Sequence, residues 1–137
     1  MNTTPVKKPL RFYLYVNRNK AQDIITLSLM AAAAGARVYV ARFLADGRYE
    51  FLEKCSLPIT VRYFDLPGLG TPRLGQIADR VLTEASLCQV KEAITNGKYD
   101  LVILDEVKEA LVRGILEPEQ VYRLLQSRSA HLEIALA

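Results

Sequence analysis

Two stretches of this 137-residue chain combine residue types that could do chemistry. The first is Leu101-Val-Ile-Leu-Asp105-Glu106, four apolar residues followed at once by two carboxylates. An apolar run of that length suits a strand buried on both faces. Its C-terminal lip would then carry the acids, where one carboxylate can hold a Mg²⁺ and the other orient a reactant. An acid in that place has a plainer use as a cap for the next helix, and spacing alone does not separate the two.

The second stretch is Val16-Asn-Arg-Asn-Lys-Ala-Gln-Asp23. A phosphate loop between a strand and a helix needs glycines that let backbone N–H groups turn inward. It then needs a Lys, and a Ser or Thr for the metal. Lys20 stands where the phosphate lysine belongs, but no glycine occurs before Gly35 and Ala21 has no hydroxyl. Asn17 and Asn19 are the types that best tolerate positive φ after glycine, and the Arg18 guanidinium recognises phosphate bidentately. Asp23 suits the dipole of a helix start but opposes a phosphate docked on it. The candidate nucleotide-binding residues are therefore Asn17, Arg18, Asn19, Lys20, Asp105 and Glu106, with Asp105 and Glu106 as candidate Mg²⁺ ligands. No residue is assigned a catalytic role.

Elements that would position these groups alternate along the chain. Residues 10–16 are β-branched and aromatic, a strand by propensity. Lys20–Ala34 reads as a helix stopped by Gly35. Strands follow at 37–43 and 58–64, with a short helix at 48–55 between them. Asp65–Pro72 is a loop by its glycines and prolines. Thr71-Pro72 reads as the cap and first turn of a long helix to about Asn96. Its apolar positions Leu74, Ile77, Val81, Leu82, Ala85, Cys88 and Ile94 keep a spacing of three to four. After the acidic strand, Pro118 opens another helix, and Leu132–Leu136 forms a fifth strand; an unprotected edge there would invite a partner, which motivates an interaction module as one alternative. Alternation of this kind gives a mostly parallel sheet covered on both faces, with ligands at the C-terminal strand ends. Residues 16–22, 43–48, 64–72 and 105–110 are thus where chemistry is expected.

Composition removes other classes. Half the residues are hydrophobic and 24% are charged, which fits one folded domain. We expect a loose basic arm over residues 1–9 and a single domain over 10–137. Two cysteines and one histidine exclude a disulfide scaffold and disfavour zinc or a Ser/His nucleophile. Cys55 and Cys88 are expected to be buried. No apolar run reaches the roughly 20 residues of a membrane span, so no membrane partner is expected and the address reads as cytoplasmic. Residues 1–80 carry a charge of +6 and residues 81–137 a charge of −3. The basic run lacks aromatic interleaving, so nucleic acid is not an expected partner.

Asn96-Gly-Lys-Tyr-Asp-Leu-Val-Ile-Leu-Asp-Glu106, preceded by Gln89-Val-Lys-Glu-Ala-Ile94, resembles the segment through the acidic strand of the corrinoid (cob(I)alamin) adenosyltransferases of the P-loop-fold branch. The likeness continues in Ala110-Leu111, Gly114-Ile-Leu116, Glu119-Gln-Val121, Leu124-Leu125, Arg128 and Leu132-Glu-Ile134. It is looser in Leu27-Ser-Leu-Met-Ala-Ala32, Gly35-Ala-Arg-Val38 and Phe43-Leu44. The resemblance implies an α/β, three-layer P-loop NTPase-like fold with a mostly parallel sheet of about five strands. It implies a homodimer that joins the 5′ carbon of ATP to a reduced cobalt corrinoid and releases triphosphate. Asp105 and Glu106 would then hold Mg²⁺-ATP, and Lys20 would be the loop lysine. The family's loop reads Gly-Asn-Gly-Lys-Gly-Lys-Thr, and here its glycines and Thr are absent. Loss of one placed electrostatic donor commonly costs about 3–4 kcal/mol of transition-state stabilisation. The expectation is a degenerate, catalytically impaired member that keeps nucleotide or corrinoid binding or a regulatory role. The alternatives are an active transferase and a protein-interaction module.

Overall fold

The computed structural model describes the backbone of residues 12–14 and the whole of residues 20–137. The expected basic arm at 1–9 and the loop residues Asn17, Arg18 and Asn19 lie outside the described residues. In chain order the elements are β1 (Phe12–Leu14), α1 (Lys20–Ala33), β2 (Val38–Arg42), α2 (Glu50–Lys54), β3 (Ile59–Tyr63), α3 (Gln76–Thr95), β4 (Leu101–Asp105), α4 (Val107–Val112), α5 (Pro118–Gln126) and β5 (Glu133–Leu136). The five strands form one sheet in the order β1-β5-β4-β2-β3, and every pairing is parallel.

Side-chain alternation divides the buried strands between two layers, as the two-residue period of a strand requires. Tyr39, Ala41, Phe43, Val102, Leu104 and Ile134 pack with Val90 and Ile94 of α3, Ala110 of α4 and Leu124 of α5. Val38, Val40, Leu101, Ile103 and Ala135 face the other way, onto Ile24 and Ala32 of α1 and Leu52 of α2. Helices on both faces of a parallel sheet make the three layers expected from the sequence.

Four expectations need correction. The terminal strand β5 is interior, paired to β1 on one side and β4 on the other. Among the described residues the edge strands are β1 and β3. An apolar strand is best buried between neighbours, so its place in sequence says nothing of its place in the sheet.

Helix α3 begins at Gln76, well after Thr71-Pro72. Thr71 instead closes the preceding loop: it bridges Pro67, and its carbonyl accepts the Gly68 N–H at 2.8 Å. Gly75 then takes φ +133°, a conformation that breaks the helix before it starts and that L side chains rarely adopt. The Asp79 carboxylate accepts the Leu74 N–H at 2.8 Å and ties down the new start.

The apolar spacing along α3 also divides. Val90, Ala93 and Ile94 are core, but Ile77 is 82% and Val81 59% exposed. Twenty helical residues span about 30 Å whereas a five-residue strand covers about 17 Å, so the sheet cannot cover the whole helix. Cys88 lies on the uncovered side and is exposed, and Cys55 is half-buried, so neither is the buried thiol expected.

Candidate functional site

The C-terminal lip of the sheet gathers six polar residues from four segments. Lys20 is the first residue of α1, Arg42 the last of β2, and Asp105 the last of β4. Asp46 lies in the β2–α2 connection, Tyr49 immediately precedes α2, and Glu106 joins β4 to α4. Parallel register puts Arg42 opposite Asp105 on adjacent strands. Both side chains are fully buried.

The bonds form a closed set. Arg42 donates from Nη1 to Asp105 Oδ2 at 2.6 Å and to Glu106 Oε1 at 3.2 Å. Its Nε and Nη2 fork onto the two oxygens of Asp46, each at 2.8 Å. Lys20 Nζ donates to Glu106 Oε1 at 2.8 Å and stands 3.0 Å from Asp105 Oδ1. That second contact is an ion pair off the angle of a hydrogen bond, which leaves Oδ1 with charge compensation and no donated hydrogen. The Tyr49 hydroxyl donates to Asp105 Oδ2, and the Arg42 guanidinium carbon lies 5.6 Å from the Tyr49 ring centre. Tyr63 completes the outer side, its hydroxyl oxygen accepting the Tyr49 N–H at 3.0 Å.

Electrostatics follow from these contacts. Burial works against the Arg42 charge, but the fork from Asp46 and the nearby Asp105 outweigh it and raise the pKa overall. Reciprocally, the hydrogen bond from Arg42 lowers Asp46 to about 2. Burial, and then the bond to Asp105, pushes the Tyr49 hydroxyl up, so Tyr49 stays a neutral donor.

Glu106 carries the one positive φ among described non-glycine residues, +74°. A left-handed residue with a Cβ costs about 1–2 kcal/mol. Such strain persists where surroundings over-determine it, often at functional sites. Here the twist accompanies a carboxylate bonded to Lys20 and Arg42, and Glu106 makes no side-chain cap for α4. The carbonyl of Ala137 accepts the Val107 N–H at 2.8 Å instead. The capping use of these acids is thereby set aside.

Of the six sequence candidates, the fold brings Lys20, Asp105 and Glu106 together. Arg42, Asp46 and Tyr49 were missed by the sequence reading. A signal for Arg42 existed: one charge inside the apolar run Val38–Phe43 must be paired if that strand is buried. Its partner became visible only through strand register. Tyr49 gave no such signal.

A divalent ion needs carboxylate oxygens that are free to coordinate it. Both oxygens of Asp105 already face cations or a hydroxyl donor, and Glu106 Oε1 faces two cations. As arranged, Arg42 and Lys20 compete with a Mg²⁺ ion for three of the pair's four oxygens, and Asp105 Oδ1, buried without a hydrogen bond, is held by the Lys20 ion pair. The cleft beside the start of α3, lined by Pro67, Arg73, Gln76, Arg80 and Gln120, is about 240 Å³, and one at the opposite end of the sheet, lined by Leu27, Ala31, Asp100, Leu101 and His131, is about 390 Å³.

A parallel three-layer sheet with a lysine at the start of its first helix, facing two acids at the end of a buried strand, defines a P-loop-like α/β protein. The family model for the ATP:corrinoid adenosyltransferases BtuR/CobO/CobP matches residues 15–137. The chain belongs to this family. A search among curated proteins gave no match.

Proposed function

We propose that this chain is a degenerate corrinoid adenosyltransferase-like protein in which ATP-dependent transfer is impaired and ligand binding or a regulatory role remains. One observation carries the reading: the lip that would serve Mg²⁺-ATP is filled by the protein's own cations, Arg42 and Lys20. The loop sequence agrees, since Asn17-Arg-Asn-Lys20 offers no glycine to cradle phosphates and Ala21 no hydroxyl. Asn17, Arg18, Asn19 and Lys20 remain the proposed contacts for a nucleotide phosphate. Placement in the cytoplasm is proposed with it; no helix of the described residues is long and apolar enough to cross a membrane.

Under reducing conditions with ATP, Mg²⁺ and a corrinoid, the purified protein should form no adenosylcobalamin. Calorimetric titration of Mg²⁺-ATP, with Asp105→Asn as control, separates binding from turnover. Formation of adenosylcobalamin would overturn the impaired reading. Such a result would favour the second reading, an active transferase, which the position of Lys20 against Asp105 and Glu106 supports. In that case Asp105 and Glu106 would hold the Mg²⁺, and Arg42 would have to release them.

A homodimer belongs to the same proposal. The exposed Ile77 and Val81 on α3, with exposed Leu74 just before it, support an apolar contact face. Light scattering at high protein concentration tests it, and a monomer there would count against both the dimer and the interaction-module alternative.

A further inference from the structure

We infer that Arg42 is a resident cation that takes the place of the metal in this site, and that its removal would create a divalent-cation site on Asp105 and Glu106. The inference rests on reading these two acids as the family's nucleotide-site pair. Three observations carry it.

Arg42 is saturated. Its Nε and Nη2 are committed to Asp46, and its Nη1 to Asp105 and Glu106. A guanidinium with its bonds so spent, at 0% exposure, has little left to offer a phosphate, so it acts toward the acids and away from any ligand.

Arg42 is also anchored from outside the acid pair. The Asp46 fork and the Tyr49 ring hold it from the β2–α2 side. A lysine on a flexible stem, 21% exposed as Lys20 is, can swing away when an anion or a metal arrives. Arg42 sits at the end of a central strand and cannot follow without breaking its bonds to Asp46.

The charge balance already closes without a metal. Asp46, Asp105 and Glu106 contribute three negative charges, and Arg42 and Lys20 supply two positive charges in direct contact. Arg48 Nε, 3.8 Å from Asp46 Oδ2, supplies a third. A doubly charged ion added to that balance would lie beside a guanidinium within hydrogen-bond distance of the same oxygens, and like charges at such range repel.

The test uses Mn²⁺ alone, with no nucleotide, followed by loss of its free-ion electron paramagnetic resonance signal. Wild-type protein should deplete the signal no more than Asp105→Asn does. Arg42→Gln should bind Mn²⁺ at least about tenfold more tightly than wild type, and Arg42→Gln with Asp105→Asn should lose the gain. Mn²⁺ should also raise the thermal midpoint of Arg42→Gln and leave wild type unmoved. Wild-type binding that Asp105→Asn or Glu106→Gln abolishes would overturn the inference. So would a folded Arg42→Gln with no gain. Should Arg42→Gln not fold, the wild-type measurement against Glu106→Gln still decides, because Glu106 lies at the lip and its loss leaves the buried Arg42–Asp105 pair intact. Metal binding without adenosylcobalamin would end this inference and leave the proposed function standing. Adenosylcobalamin formation with no direct metal binding would do the reverse.

Discussion

Strands β2 and β4 are pinned together twice, once at each end, by an arginine and an aspartate 63 residues apart. At the N-terminal end Arg37 forks onto Asp100 with two bonds of 3.0 Å, and its own N–H adds a third at 2.8 Å. At the C-terminal end Arg42 meets Asp105. The chemistry is the same, but the surroundings are opposite. Arg37 and Asp100 stand in water, at 48% and 35% exposure, whereas Arg42 and Asp105 have none. An exposed fork contributes little, because water solvates the separated charges nearly as well. Burial makes the second pair costly to assemble and costlier to break, because a lone buried charge has no water to turn to. Asp46, Glu106, Lys20 and Tyr49 are arranged around it for that reason. A protein spends such an arrangement where position matters, and here that place is the C-terminal lip of the sheet.

The comparison breaks most visibly at the buried end. Arg42→Gln should lower unfolding free energy by about 3–5 kcal/mol, the range for a buried pair that has lost one partner, read from urea unfolding. A loss within error would mean that water enters the lip and that the two ends are alike after all.

Acid sharpens it. Asp46 is held at about 2 against its usual 3.8 by the bond from Arg42, and Asp100 is held at about 2 by the bond from Arg37. A depressed carboxylate contributes stability that is fully present above the unfolded value and is lost as pH falls through the folded one. Both contributions should therefore fade between about pH 4 and pH 2. Asp46→Asn should flatten its share of that slope with the smaller dependence on salt, because its partner Arg42 is buried. The Asp100→Asn difference should shrink more in high salt, because both partners of that pair are exposed. Identical salt responses would refute the distinction.

The smallest effect belongs to Arg37→Gln, for which the unfolding midpoint should move least of all these variants, and not at all in high salt. A midpoint shift rivalling that of Arg42→Gln would show that the exposed fork does structural work its exposure does not suggest.

Much of this molecule was legible in the residue order. Gly35 and Gly97 mark helix stops by positive φ, +96° and +74°. Leu101–Leu104 is a buried strand because four consecutive apolar side chains leave no face for water. Asp105 and Glu106 fall at its lip for the same reason, and Lys20 faces them because parallel strands deliver their following segments to one end. What stayed hidden was non-local. Ile77 and Val81 keep helical spacing as faithfully as Val90 and Ile94, yet only the latter pair has a sheet beneath it. Periodicity gives the stripe; only the neighbouring layer says how far along the helix the stripe is covered.

The sequence by itself determined the alternation of elements, the parallel sheet and the end of that sheet where charge would collect. These follow from local propensity and from the short range over which a strand or helix forms. Only the tertiary structure decided that β5 lies inside the sheet and that Thr71 closes a loop in place of starting a helix. It alone placed Arg42 opposite Asp105, one residue from each of two strands whose register no local rule sets. The acids' partners came from 63 and 85 residues away, and at that distance in sequence only packing chooses which charge meets which.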